Sequence, residues 1–184
     1  PSGVSYDALS PEQLVGVSLD TGETVDSDLA PSSDTPTHLE LYRAFERCGG
    51  IAHTHSPVAT ACAQATVPIR CMGTTHADYF RGDVPVTREM TAEEVAGEYE
   101  ANTGRVIVET FAQRDPEAVP AALVAHHGPF AWGASAHEAV RHAVILEQLA
   151  CMERDIHQLN KRASRPPAHL IDKHYFRKHG SDAY

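Results

Sequence analysis

Twelve histidines are spread over 184 residues, and two of them, His53 and His55, sit one residue apart in GGIAHTHSPVATACAQA, residues 49 to 65. A chain this rich in histidine yields about one H-x-H pair by chance, so the pattern alone is weak and its setting matters more. In an extended segment, residues two apart point to the same face. Gly50 to His53 reads as a short buried strand, so both imidazoles would lie side by side at a strand end, where α/β folds place ligand sites. The other reading is a pair of ordinary buried or surface histidines.

A metal ion needs further ligands. His126-His127-Gly128-Pro129 follows another apolar run; neighbours on a strand face opposite ways, so normally no more than one of the two would join. Asp34, just ahead of a proline-started helix, could add an oxygen ligand, or could be a helix-start carboxylate favoured by the dipole. Three imidazoles and a carboxylate suit zinc, manganese or another divalent first-row metal. Ser32-Ser33 at the same helix start, and Ser2-Gly3, could form an anion site from hydroxyls and backbone amides, as a phosphoester would require; plain capping and turn chemistry is the alternative. In GTTHADYFRGD, a polar stretch carrying Thr74, Thr75, His76, Asp78, Tyr79 and Phe80, Asp78 could transfer protons if partly desolvated. A solvated loop aspartate is equally compatible with the sequence. His137, His142 and His157 read as solvent-exposed histidines with no assigned role.

The elements that must hold these groups alternate. LVGVSL and ETVD flank Asp20-Thr21-Gly22, a hairpin signal. Thr35 and Pro36 start a helix with His38, Leu41, Tyr42 and Phe45 on its apolar face, closed by Cys48-Gly49-Gly50. Ser56-Pro57 opens a helix of small residues suited to close packing. TVPI (66–69), VIVETF and AALVAHH read as strands, and Thr91-x-x-Glu94 caps a helix running to about Asn102. Ser135-x-x-Glu138 caps the longest helix, with Ile145, Leu149, Met152, Ile156 and Leu159 as its apolar stripe. A basic linker, NKRASRPP, leads to a last helix around 168–179, ended by Gly180. Interleaved strands and helices predict an α/β protein, a layered sandwich in a single domain spanning 1–184.

Composition narrows the function. The formal net charge is −10, so neither nucleic acid nor an anionic membrane is an expected partner. No stretch has the length of a membrane span. Cys48, Cys62, Cys71 and Cys151 lack C-x-x-C spacing, which favours a reduced, cytoplasmic setting. The chain opens Pro-Ser-Gly, without methionine and within a turn, and a missing N-terminal segment is expected.

PSSDTPTHLELYRAF, GGIAHTHSPVATACAQA, GTTHADYF, PVTREMT, GRVIVETF, HHGPFAWG and LIDKHYFRKHG occur in this order across the chain. Together they closely resemble the L-ribulose-5-phosphate 4-epimerases of the class II aldolase/adducin-like superfamily. The resemblance implies a three-layer α/β/α fold, a C4 homotetramer and a zinc-type metal site between subunits. Carried over by position, it makes Asp34, His53, His55 and His127 metal ligands. Ser2, Gly3, Ser32 and Ser33 become contacts to a sugar phosphate, and Asp78 a catalytic acid/base. Glu100, His174 and Arg177 also match motif positions, without an assigned role.

The implied reaction is a retro-aldol cleavage of C3–C4, rotation of the aldehyde fragment, and re-formation of the bond with C4 inverted, the metal serving as Lewis acid. A second acid/base in the family, a tyrosine, would follow Tyr184, and about forty residues would precede Pro1; the chain as given is therefore expected to be catalytically impaired. Two alternatives stand beside the epimerase. A sugar-phosphate aldolase of the same superfamily would carry glutamate after the paired serines, where this chain has Asp34. A non-catalytic module of the adducin-head type would be expected to lack the metal histidines. A cupin-like oxygenase using H-x-H would need mostly strands, against the three capped helices.

Overall fold

The computed structural model describes residues 1–181 and 183, and Tyr6 by its backbone alone; Tyr184 lies outside the described residues. The fold is α/β, as expected. The chain divides into two compact units, one formed by Pro1–Glu46 with Met90–Val108, the other by Arg47–Glu89 with Glu109–Tyr184.

In the first unit, two short 3-10 turns (Tyr6–Ala8 and Pro11–Gln13) precede α1, Thr35–Ala44. The expected hairpin at 14–26 is reduced to a single bridge between Val17 and Thr24, with Gly22 at φ +77° in its turn. Helix α1 starts where Pro36 predicts, but Asp34 rather than Thr35 is its N-cap residue, and it ends at Ala44, ahead of the two glycines. Helix α4, Ala92–Ala96, carries the expected capping box: Glu94 N donates to Thr91 Oγ1 at 3.2 Å, and Thr91 N donates to Glu94 Oε2 at 2.8 Å. This helix stops at Gly97, and a separate helix α5, Tyr99–Thr110, follows.

VIVETF is therefore helix, not strand. Its β-branched residues favour a strand in isolation, but the buried positions Thr103, Val106 and Ile107 recur at helical spacing. Against α1, the Thr37 hydroxyl donates to the Glu100 carbonyl at 2.6 Å. Packing of that face overrides the local preference.

The second unit holds β1 (Gly50–His53), α2 (Pro57–Gln64), α3 (Thr74–Ala77), β2 (Ala121–Leu123), β3 (Pro129–Gly133), α6 (Ala136–Leu159) and α7 (Ala168–His179). The three strands form one antiparallel sheet in the order β1-β3-β2. Strand β3, wholly buried at the centre, was hidden in the sequence by its flanking Gly-Pro and Gly, which read as turns. TVPI contributes only an isolated bridge, Ile69 to Val84.

Gly49 and Gly50 have a packing reason: a Cβ on either would collide with the backbone at Ala134 to Ala136, so only glycine lets β1 pass under the start of α6. Helix α2 buries Ala59 and Ala63, the close packing its composition predicts, and lies against α6.

The buried face of α6 shares only Leu149 with the expected apolar stripe. Ala139, His142, Leu146, Leu149, Ala150 and Glu153 are buried, while Met152 is 43% and Leu159 87% exposed. Two apolar faces compete on this helix, and the buried one includes two polar residues that hydropathy would exclude. Both are satisfied, as burial requires: His142 Nδ1 donates to the Trp132 carbonyl at 2.7 Å, and Arg70 pairs with Glu153 at 2.6 Å. His142 is thus a core residue, correcting its reading as a surface histidine.

Candidate metal centre

Strand β1 ends at His53, and His53 sits opposite Phe130 in the β1–β3 register. Their rings stack with centroids 4.1 Å apart and planes 14° from parallel. The Nδ1 of His53 lies 3.0 Å from the Pro129 carbonyl oxygen. A carbonyl can only accept, so Nδ1 carries the proton and Nε2 keeps its lone pair. That is the arrangement found in metal-ligating histidines, whose second nitrogen is held by a carbonyl or carboxylate.

Two residues on, just past the strand, His55 is exposed and its ring centroid is 4.9 Å from that of His53. The two imidazoles do sit side by side. The third comes from the β2–β3 connection. His126 takes a left-handed backbone, φ 61°, and its ring turns outward to Glu89 Oε1 at 3.0 Å. His127 turns inward instead, with ring centroids 4.9 Å from His53 and 5.2 Å from His55.

One nitrogen from each of the three rings lies within 4.8 Å of the others. A tetrahedral zinc site with Zn–N near 2.0–2.1 Å places its nitrogens about 3.4 Å apart. Gly128 leaves space beside the converging rings. A Cβ there would stand 3.0 Å from the His55 ring and 3.1 Å from the Thr54 carbonyl oxygen. The donor chemistry, three neutral-capable imidazoles with one tautomer already fixed, fits a divalent first-row metal.

Asp78, at the C-terminal end of α3, is held by α7. Its Oδ1 accepts from His174 Nδ1 at 3.0 Å and from Arg177 Nη2 at 2.9 Å, and its Oδ2 accepts from the same Nη2 at 3.0 Å. His179 Nε2 also donates to the Asp78 carbonyl oxygen at 3.0 Å. His174 and Arg177 match sequence motifs but carried no role; their i, i+3 spacing on one helix face is the signal that could have paired them. His76, beside this site, is a core residue. Its Nε2 donates to the Gly82 carbonyl at 2.7 Å, and burial pulls its pKa down to about 4.

In the first unit, Ser2 N donates to the Ala30 carbonyl at 3.0 Å and Ser2 Oγ to the Pro31 carbonyl at 2.9 Å. Gly3 follows at φ +81°. Ser2 thus lies against the segment that leads into Ser32, Ser33 and Asp34 at the start of α1. Ser32 Oγ accepts from Asp34 N at 3.3 Å. The Asp34 carboxylate makes no capping hydrogen bond despite its N-cap position. Glu100 stands in the first turn of α5.

The family described as the Class II Aldolase and Adducin N-terminal domain matches residues 1–153. The chain belongs to the class II aldolase and adducin family. YgbL from Escherichia coli, described as a putative aldolase/epimerase/decarboxylase, is 26% identical with a TM-score of 0.71, over 95% of this chain and 79% of that one. L-fuculose-1-phosphate aldolase from Thermus thermophilus is 25% identical with a TM-score of 0.65, over 89% and 78% of the two chains. A further L-fuculose 1-phosphate aldolase, 21% identical with a TM-score of 0.70 over 95% and 76%, shares the fold.

Proposed function

We propose that this chain is a divalent-metal-dependent epimerase interconverting L-ribulose 5-phosphate and D-xylulose 5-phosphate. The observation that carries the reading is the convergence of His53, His55 and His127 to within 4.8 Å, in a chain of the class II aldolase family. Zinc is the expected ion. The choice of an epimerase over an aldolase rests on Asp34, where the resembled aldolases carry glutamate as base.

The carbon to be inverted, C4, is not next to the carbonyl, so its C–H proton is not acidic. Cleaving C3–C4 and re-forming it on the other face of the aldehyde avoids removing that proton. A divalent metal, when bound, supplies Lewis-acid stabilisation of negative charge on the carbonyl-bearing fragment. Asp78 exchanges the C4 hydroxyl proton on one face, oriented by Arg177 and His174. Ser2, Gly3, Ser32 and Ser33 hold the phosphate, and Asp34 is the proposed fourth ligand, on its position in SSDTP. A C4 homotetramer is part of the same reading; Val140, Val144, Met152 and Leu159 of α6 offer exposed apolar surface. The four unpaired cysteines support a reducing, cytoplasmic setting.

A second reading, a sugar-phosphate aldolase, draws on the fuculose-phosphate aldolases among the structural neighbours. Incubating the metal-loaded protein with L-ribulose 5-phosphate separates the two. D-xylulose 5-phosphate as product supports the epimerase, and accumulating glycolaldehyde phosphate supports the aldolase. No turnover of L-ribulose 5-phosphate by the metal-loaded protein would overturn the epimerase.

A further inference from the structure

We propose that Glu147 of α6 is a positioning residue for His55: its carboxylate serves as the N-cap of α2 and so fixes the backbone that carries this histidine. The inference rests on the reading of the three histidines as metal ligands. Ser56 occupies the N-cap position of α2, yet its side chain accepts no bond from the helix. Its buried Oγ has no hydrogen-bond partner among the described residues. The amides that an N-cap side chain ordinarily satisfies are those of the second and third helical residues, here Val58 and Ala59. Both are taken by Glu147: Val58 N donates to Oε1 at 2.9 Å and to Oε2 at 3.2 Å, and Ala59 N donates to Oε2 at 2.9 Å. A carboxylate at a helix N-terminus is favoured twice, by charge-assisted hydrogen bonds and by the dipole.

The consequence falls on His55. His53 has a tether of its own, the hydrogen bond to the Pro129 carbonyl. Among the described residues no hydrogen bond reaches the His55 ring, so its direction is set by the chain on either side. On the strand side, Thr54 N donates to the Pro129 carbonyl at a long 3.4 Å. On the helix side, the Ser56 carbonyl accepts the first intrahelical bond, from Thr60 N at 2.9 Å, and the free amides of that turn nearest His55, those of Val58 and Ala59, are fixed by a side chain from another helix. Cutting that link frees the first turn of α2 to fray and lets His55 sample directions that miss the ion.

The test uses the full chain, stripped of metal and titrated with Co2+ and Zn2+ against a chromogenic chelator. Glu147→Ala is expected to weaken metal affinity by about tenfold or more, the size seen for residues supporting metal ligands. Amide exchange at Val58 and Ala59 should accelerate in the same variant. Should it fail to fold, Glu147→Gln keeps one acceptor oxygen and should show a smaller loss of the same kind. Glu153→Gln, on the same helix and paired with Arg70, controls for stability and should leave metal affinity unchanged. Affinity within about twofold of the parent for both Glu147 variants, with exchange at Val58 and Ala59 accelerated, would overturn the proposal. A parent chain that binds neither metal would instead overturn the metal-centre reading beneath it.

Discussion

His53 keeps its Nδ1 proton because the Pro129 carbonyl, 3.0 Å away, can only accept, and that single constraint leaves its Nε2 lone pair free to face a metal ion. Asp78 works by contrast through its company, with two donors of Arg177 and one of His174 setting the direction of its oxygens. Asp78→Asn should lower turnover by about 10²- to 10⁴-fold, the range for loss of a positioned acid/base, while metal content stays at the parent level; steady-state kinetics with elemental analysis checks both. His76 has a purely structural consequence. Burial holds its pKa near 4 against an ordinary 6.5, so between those values the unfolded chain binds a proton that the native chain refuses. Stability therefore falls as pH drops from about 6.5 through about 4 and levels below, by about 3 kcal/mol at most from this group. Urea unfolding across that range should show the loss, and His76→Gln, which can still donate to Gly82, should flatten it.

The connection between β2 and β3 does for His127 what the end of β1 does for His53. It turns through His126 in a left-handed conformation, which sends His126 outward and His127 inward, and Gly128 leaves the room His55 needs. Gly128→Ala would press on the His55 ring and the Thr54 carbonyl, and chelator competition should report weaker zinc retention with little change in secondary structure by circular dichroism. Much at this scale was legible in the sequence. The starts of α4 and α6 followed from Thr91-x-x-Glu94 and Ser135-x-x-Glu138, because those caps are local chemistry, and the start of α2 followed from Pro57 at its first position, although the Ser56 side chain makes no cap bond. What escaped depends on partners far along the chain. Val106 and Ile107 looked like strand until α1 supplied a surface for a helical face, and β3 was masked by glycine and proline that tolerate a central strand's ends. His142 was read as a surface histidine, and Glu153 was not singled out, because their partners, the Trp132 carbonyl and Arg70, cannot be read from hydropathy. Glu147 was invisible for the same reason: its partners are backbone amides 88 and 89 residues away.

At the scale of the molecule, a chain of net charge −10 has no broad positive field with which to attract a phosphorylated sugar. On the proposed reading, affinity for such a substrate comes from local donors and from an ion. Chelation should therefore abolish turnover, and re-addition of a divalent cation should restore it. The histidine cluster was legible as ligand types at suggestive spacing, but which of His126 and His127 belongs to it follows from a turn that spacing does not encode. The most direct test of the account is the metal content of the purified protein, measured by elemental analysis beside His53→Ala, His55→Ala and His127→Ala. The account predicts one tightly held divalent ion per chain in the parent and its loss from each variant, while thermal unfolding still shows a folded protein. Retention of the ion at the parent level in all three folded variants would contradict it.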